Sequence, residues 1–244
     1  MSEHGVHSPF VYDLLLSTIY NHKPFYAYEQ VEKIRQGMLL SKQRLTCIDL
    51  GAGSHVQNKT SKSVSEIATS AVKPAKYAQL LFRLVNHFQP STILELGTSL
   101  GISSAYMAIA NSKTTLYTIE GCAEISGVAK QVFSKLKLKN IEQKIGNFDA
   151  VLPDVLKNIN QLDFVFFDGN HRKEPTLNYF KQCLEKAVET SVFVFDDIYW
   201  SPEMKEAWEE IKNHKGITVS LDLFYFGIVF FRKEQVKEHF VIRY

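Results

Sequence analysis

Residues Ser91–Gly101 read STILELGTSLG, and this stretch decides how the chain folds. A short apolar run carrying one acid leads into a glycine turn, and the helix-compatible segment Ile102–Ala110 follows at once. A buried strand that runs into a glycine turn and then a helix is an arrangement that holds polar ligands. Gly97 and Gly101 suit the turn because a Cβ there would block the backbone torsions or the close approach of a ligand.

Downstream of this turn, strand and helix patterns alternate. The predicted strands are Thr92–Leu96, Thr115–Ile119, Ile141–Ile145, Asp163–Phe167 and Ser191–Phe195, with helical segments between them. Such alternation predicts an α/β protein with a doubly wound, mostly parallel sheet. The pattern then changes: strands predicted at Ile217–Asp222 and Phe226–Phe231 are separated only by Leu223–Tyr225. So short a link cannot hold a crossover, and these two strands are therefore predicted to pair antiparallel.

The residues before this alternation read mostly as helix. Helical spacing predicts segments within Val11–Ile19, Tyr28–Leu40, Val64–Ala71 and Lys76–Phe88. The polar stretch Gly51–Ser65 has no hydrophobic period and is predicted to lack regular structure. We therefore predict two parts: a helical extension at residues 1–75, acting as a lid or a dimer contact, and a main domain at residues 76–244.

Composition excludes several classes of protein. The 244 residues are 45% hydrophobic and 22% charged, which is typical of a globular chain with a sizeable core. A formal net charge of +2 gives no electrostatic field for nucleic acid. Cys47, Cys122 and Cys183 are odd in number and widely spaced, which predicts buried thiols in a reducing compartment. No signal pattern or membrane-spanning apolar run is evident, so we expect a cytoplasmic protein with no membrane or nucleic-acid partner.

The chain contains two glycine turns, Asp49–Ser54 (DLGAGS) and Glu95–Gly101 (ELGTSLG). Only the second is followed by a helix and then a strand, Thr115–Glu120, which ends in an acid. An acid about 20 residues past such a turn holds a ribose diol, because a carboxylate accepts hydrogen bonds from both hydroxyls. We therefore assign nucleotide-type cofactor binding to the second turn and interpret the first as a structural turn.

When the G-x-G-x-x-G pattern that binds dinucleotides is aligned on Gly101, the second turn lacks its middle glycine and has Thr98 in that place. A pyrophosphate would be crowded there, whereas a ligand without phosphates would not. The turn, Glu120 and the closing hairpin together resemble the class I S-adenosylmethionine-dependent methyltransferases, over roughly Lys76–Arg232. The resemblance implies a Rossmann-like sheet of seven strands with the last one antiparallel, and S-adenosylmethionine as the cofactor.

The resemblance also implies roles for individual residues. Glu95 and Gly97 would lie near the methionine part of the cofactor, Glu120 would bind the ribose, and Asn147 and Phe148 would flank the adenine. Phe148 equally suits a plain core aromatic, and both interpretations stay open. The full predicted set of cofactor-binding residues is Glu95, Gly97, Thr98, Ser99, Gly101, Glu120, Asn147, Phe148 and Asp168.

Three acids follow the fourth and fifth predicted strands: Asp168 in FFDGNH, and Asp196 and Asp197 in FVFDDIYW. Converging carboxylates repel unless a cation or a hydrogen-bond donor compensates, and hard oxygen ligands suit Mg²⁺, Mn²⁺ or Ca²⁺. The positions resemble those of the catechol and caffeoyl-coenzyme A O-methyltransferases, whose metal binds the vicinal hydroxyls of the substrate and lowers their pKa. Asp197 stands where that group usually has Asn, so it either adds charge to the metal site or caps the helix that begins near Ser201.

His171 lies three residues after Asp168, and DGNH resembles the D-G-x-H sequence of a broad group of bacterial methyltransferases. A histidine takes a proton from a hydroxyl near neutral pH, so His171 and Asp168 are the predicted catalytic residues. The alternative is a loop histidine bonded to backbone.

The predicted function is O-methylation of a small-molecule hydroxyl by S-adenosylmethionine, with or without the assistance of a divalent metal. Tyr199 and Trp200 are candidates to wall the acceptor pocket, and Phe25, Tyr26 and Tyr28 are candidates for a lid; simple packing is the alternative for all five. A non-catalytic binding or scaffolding protein that keeps the same fold is the other class of function. A nicotinamide-dependent oxidoreductase is disfavoured by the missing middle glycine.

Overall fold

The computed structural model describes residues 7–48 and 59–244, without the side chains of Ile48, Lys59 and Thr60. The glycine turn Asp49–Ser54 lies outside the described residues, and so does the first part of the predicted irregular stretch Gly51–Ser65.

The helices of the described residues, in chain order, are α1 Pro9–Leu14, α2 Tyr26–Leu39, α3 Val64–Ser70, α4 Ala75–Phe88, α5 Ile102–Ala110, α6 Ala123–Lys135, α7 Phe148–Lys157, α8 Lys173–Leu184 and α9 Pro202–Asn213, with a π-helical turn at Leu15–Ile19 after α1. The strands are β1 Arg44–Ile48, β2 Lys59–Ser63, β3 Thr92–Leu96, β4 Thr115–Glu120, β5 Ile141–Ile145, β6 Leu162–Phe167, β7 Ala187–Asp196, β8 Val219–Asp222, β9 Phe226–Phe230 and β10 Glu238–Val241. Every strand and helix predicted from Ser91 onward is therefore present, with ends displaced by a few residues.

The main sheet has the strand order β10-β8-β9-β7-β6-β3-β4-β5. Strand β9 runs antiparallel to both β7 and β8, which confirms the predicted closing hairpin. The predicted count of seven strands is wrong, because β10 adds an eighth, parallel to β8. Its sequence, EHFV, is short and half polar, so it lacks the apolar run by which a strand is detected.

A separate two-stranded sheet joins β1 and β2, with Arg44 opposite Ser63. For the described part of Gly51–Ser65, the prediction of no regular structure is wrong. The β2 sequence KTSKS contains no apolar residue, so its pairing rests on backbone hydrogen bonds that leave no trace in hydrophobic periodicity. Helix α3 begins directly after β2 with a capping box formed by Ser63 and Glu66.

The prediction that all three cysteines are buried thiols is wrong. Cys47 in β1 forms a disulfide with Cys122, which precedes α6, and only Cys183 is free and buried. The two partners are 75 residues apart, and their pairing follows from the position of β1 beside α6, which no local pattern reveals. Cysteine usage therefore no longer supports a reducing compartment.

The described chain divides into two compact units. The first contains the described residues up to Asn21, Thr92–Leu94 and Pro153–Tyr244. Its core is aromatic: Phe167 stacks on Phe195 with ring centroids 4.4 Å apart, and Phe180 meets Phe195 edge-on.

The second unit contains His22–Ser91 and Glu95–Leu152. Its core joins α2, α3, α4, α5 and α6 through buried side chains that include Val31, Phe82, Tyr106 and Phe133. The division of the chain at residue 75 into an extension and a main domain stays a prediction.

Candidate functional site

Glu95 lies at the centre of a buried network of hydroxyl groups. It is fully buried in β3, where an unpaired carboxylate would be very costly. Ser103 Oγ donates to Oε1 at 2.6 Å, Thr118 Oγ1 donates to Oε2 at 2.7 Å, and Ser104 Oγ also donates to Oε2. The acid therefore fastens β3 to the first turn of α5 and to β4, and so holds the glycine turn between them.

The turn after β3 is fixed by further hydrogen bonds. The backbone N–H groups of Gly97 and Thr98 both donate to the carbonyl of Ile119, at 3.0 and 3.2 Å. Thr98 Oγ1 lies 2.6 Å from Thr118 Oγ1, and because that hydroxyl donates to Glu95, Thr98 must be the donor. The predicted role of Thr98 in cofactor binding stays untested, but in this structure the side chain is buried and hydrogen-bonds within the turn.

Gly101 closes the turn with a left-handed backbone, φ +83°, and is the N-cap residue of α5. A Cβ there would lie 2.8 Å from Phe133 Cε1 and 2.9 Å from Ala129 Cβ, both on α6. The glycine is required by the backbone torsion, as predicted, and by close packing of the turn against α6.

Glu120, at the end of β4, is held by the backbone on both sides. Its Oε2 accepts from Ser99 N–H and its Oε1 accepts from Cys122 N–H, each at 2.9 Å. Burial raises the pKa of Glu120, and the hydrogen bonds from Cys122 and Ser99 oppose that rise. The two bonds occupy about half of the lone-pair positions of the carboxylate, so it retains acceptor capacity for a diol.

The residues after β5 are positioned by helix α7. Asn147 is exposed, and its Oδ1 accepts a hydrogen bond from Asp149 N–H at 2.9 Å. This bond forms a local turn at the start of the helix. Phe148, the first residue of α7, is half-buried. Both positions are therefore accessible in part, and their assignment to the adenine stays a prediction.

The aromatic residues at the start of α2 pack against the core of the second unit. Phe25 and Tyr28 lie 4.9 and 5.3 Å from Phe82, and Tyr28 lies 5.7 Å from Tyr106, measured between ring centroids. These contacts support the packing alternative for these two residues, whereas Tyr26 is 79% exposed.

In the first unit, the ends of β6 and β7 bring three predicted residues together. Asp168, His171 and Asp196 each offer a ligand atom, and these atoms all lie within 4.8 Å of one another. Asp196 is buried, and the other two are half-buried. His171 Nε2 is 3.8 Å from Asp168 Oδ1, which is an ion-pair distance rather than a hydrogen bond.

Asp197 is adjacent to this group without belonging to it. Its Oδ2 lies 4.0 Å from His171 Nε2, and its backbone is left-handed with φ +52°. The alternative interpretation of Asp197 as a helix cap is wrong, because Ser201 caps α9 by accepting from Met204 N–H at 3.2 Å. As a metal ligand, Asp197 stays a prediction.

An exposed aromatic group follows β7. Tyr199 donates its hydroxyl to Asp222 at 2.6 Å and stacks on Phe224, and burial together with Asp222 raises the pKa of Tyr199 to about 12. Trp200 is 73% exposed and Phe224 is 63% exposed. Tyr199 is therefore held in one orientation, which suits the wall of a pocket. Trp200 is the most exposed of these three aromatic residues.

Ser103, Ser104 and Thr118, which hold Glu95, were not among the predicted site residues. The available signal was their hydroxyl groups within otherwise apolar, buried elements, ISSAYMAIA and TLYTIE. A polar side chain in such a position must find a buried partner, and an acid on the neighbouring strand is a natural one.

Residues 94–198 match the sequence profile of a family described as "Methyltransferase domain". No curated protein matches the chain. Among solved structures, a SAH-bound methyltransferase of Podospora anserina has a TM-score of 0.65 at 11% identity, covering 93% of this chain and 98% of that one.

Two bacterial structures are similar in the same way. An O-methyltransferase of Streptomyces achromogenes involved in tomaymycin synthesis, in complex with SAM, has a TM-score of 0.60 at 19% identity, covering 95% of this chain and 99% of that one. An O-methyltransferase of Bacillus cereus in complex with SAH has a TM-score of 0.58 at 17% identity, covering 90% and 97%. At these identities the likeness establishes a shared fold. Within the described residues, no helix has the length and apolar character needed to cross a membrane.

Proposed function

We propose that this chain, whose residues 94–198 match a methyltransferase domain, is a class I S-adenosylmethionine-dependent enzyme that methylates a hydroxyl group of a small molecule. The observation that carries the proposal is the state of Glu120: its carboxylate is oriented by Ser99 and Cys122 and keeps acceptor capacity. A vicinal diol such as a ribose supplies the matching pair of donors.

The donor side of the reaction belongs to the turn between β3 and α5. Glu95 fixes this turn through its hydrogen bonds with buried hydroxyl groups, while Glu120 binds the ribose. We assign the adenine to the neighbourhood of Asn147 and Phe148. Because the turn is already hydrogen-bonded, binding requires little ordering of the protein, which favours affinity.

The acceptor side belongs to Asp168, His171 and Asp196. Two carboxylates and an imidazole fit a divalent cation, and the nitrogen ligand favours Mn²⁺ or a similar first-row ion over Mg²⁺ and Ca²⁺, which prefer oxygen. Such an ion would supply charge that lowers the pKa of a bound hydroxyl. In the absence of coordination, His171 serves as the base that accepts the hydroxyl proton.

In the transfer itself, the acceptor oxygen forms a bond to the methyl carbon as the bond from that carbon to the sulfonium sulfur breaks. The hydroxyl proton leaves to a base, and S-adenosylhomocysteine is the product. Alignment of the two reacting atoms supplies most of the acceleration, so the protein mainly orients and desolvates them. Tyr199, whose hydroxyl is bonded to Asp222 and whose pKa is high, contributes a rigid wall and no proton.

Two measurements test the proposal. Calorimetric titration with S-adenosylhomocysteine should give a dissociation constant on the order of micromolar, and no binding at roughly 100 µM would remove the assignment. Transfer of radiolabelled methyl groups from S-adenosylmethionine to a panel of aromatic vicinal diols and monohydroxyl analogues, with Mn²⁺, Mg²⁺ or a chelator, identifies the acceptor class. Binding without transfer to any member of the panel would favour a scaffolding role.

A further inference from the structure

The Cys47–Cys122 disulfide lies beside the residue assigned to the ribose. Cys122 is two positions after Glu120, and its own N–H donates to Glu120 Oε1 at 2.9 Å. Cys122 is also the N-cap residue of α6, where its side chain makes no capping hydrogen bond because it is bonded to Cys47. The backbone that orients the carboxylate is therefore tied covalently to β1.

A second contact fastens β1 at the same place. The backbone N–H of Thr46 donates to Glu124 Oε2, in the first turn of α6, at 2.6 Å. Leu45 is buried and belongs to the core of the second unit, and β1 contacts α6. Strand β1 therefore keeps an apolar and a polar anchor when the disulfide is absent, but loses the one that acts on Cys122 itself.

From this geometry we infer that the disulfide is a redox-sensitive positioning element for the cofactor site: the oxidised form holds Glu120 in its binding orientation, and reduction weakens cofactor binding. The inference rests on the proposed function and assigns its regulation. A dithiol reductant supplies two electrons and two protons, the sulfur–sulfur bond breaks to give two thiols, and the reductant becomes a cyclic disulfide. Both cysteines are half-buried, so neither is fully enclosed by the protein.

The experiment compares oxidised, reduced and reoxidised protein. Thiol titration in denaturant should find one free thiol in the oxidised protein and three after reduction, in line with the three cysteines of the sequence. Calorimetric titration with S-adenosylhomocysteine should show roughly fivefold to tenfold weaker binding after reduction, equivalent to about one displaced hydrogen bond. Reoxidation should restore the affinity.

Matched variants separate this role from general stabilisation. Cys47→Ser and Cys122→Ser should bind like the reduced protein in either redox state, whereas Cys183→Ala, which removes the buried free thiol, should keep the full redox response. In a Glu120→Gln background the redox state should no longer change the affinity, because the disulfide acts through that carboxylate. If reduction weakened binding only by destabilising the protein, the affinity would still depend on the redox state in the Glu120→Gln variant.

The outcomes are distinguishable. Three free thiols in the oxidised protein, or equal affinity in the two redox states, would overturn the redox inference and leave the methyltransferase proposal standing. Failure of every form to bind S-adenosylhomocysteine would overturn both. A redox effect that persists in the Glu120→Gln background would overturn the positioning role.

Discussion

The two groups of acids in this chain differ in the distance to the groups that position them. Around the glycine turn, each carboxylate has donors at hydrogen-bonding distance: three hydroxyl groups surround Glu95, and two backbone N–H groups hold Glu120. At the ends of β6 and β7, the nearest imidazole nitrogen, that of His171, stands 3.8 Å from Asp168 and 4.0 Å from Asp197, beyond hydrogen-bonding range.

This difference suggests that the first group binds the cofactor and the second group takes part in the methyl transfer. A group whose donors all come from the chain itself keeps its shape with or without a ligand, as a cofactor site with low ordering cost requires. A group of acids and an imidazole at ion-pair distances tightens when a proton, a cation or a substrate arrives. Mutations in the first group should therefore change stability and cofactor affinity, and mutations in the second should change turnover.

The largest expected effect is at the second group. His171→Ala removes the base or ligand for the acceptor hydroxyl, so turnover should fall on the order of 10²- to 10⁴-fold. The dissociation constant for S-adenosylhomocysteine should stay within about twofold, because His171 is not part of the hydrogen-bonded turn. Methyl-transfer kinetics and calorimetry measure the two quantities separately.

The matched control is His87→Ala, at an exposed histidine on α4, which should leave both quantities unchanged. The contrast between the two groups breaks down if His171→Ala weakens cofactor binding as much as it slows turnover.

The next effect is on stability, at Glu95. Glu95→Ala leaves three buried hydroxyls without their acceptor and opens a cavity, so the free energy of unfolding should fall by about 3 kcal/mol. Urea denaturation measures this loss. Glu142→Ala, at an exposed acid on β5, should change the same quantity by no more than about 0.5 kcal/mol. Equal losses in the two variants would show that the hydroxyl network contributes nothing to stability.

The sequence predicts those parts of the two groups that are encoded by residues close together in the chain. The strand, the glycine turn, helix α5 and the position of Glu120 follow from apolar runs and spacing within about 30 residues. The grouping of Asp168 with Asp196 follows from the rule that parallel strands end at one edge of a sheet.

The partners of these acids were not predictable in the same way. Ser104 bonds Glu95 only because α5 folds back on β3, and Cys47 meets Cys122 only because β1 lies against α6. Strand β2 has no apolar residue, and its existence depends on pairing with β1. These features are set by tertiary contacts, which override local propensity and leave no periodic signal.

A smaller effect is expected at the cofactor contact. Glu120→Gln replaces a charged acceptor with a neutral amide and turns one NH₂ group towards a backbone N–H, so the dissociation constant for S-adenosylhomocysteine should rise about tenfold, or about 1.4 kcal/mol. Glu124→Gln, on the first turn of α6, keeps the neighbouring backbone and should change the constant by less than about threefold. Unchanged affinity in Glu120→Gln would show that the ribose site lies elsewhere.

The smallest effect is a pH dependence of the same binding. Burial raises the pKa of Glu120 in the folded protein, so protonation begins at a higher pH than for an ordinary glutamate. The proton occupies an oxygen that the ribose hydroxyls need, and affinity should therefore be constant near neutral pH and fall on acidification through the raised pKa, by at most about tenfold per pH unit. Calorimetry across this range measures the fall, and Glu120→Gln corrects for titration of the ligand itself. If the dissociation constants of the wild type and Glu120→Gln change in parallel with pH, the carboxylate does not contact the ribose. In that case only the glycine turn, and not Glu120, forms the cofactor site before the ligand binds.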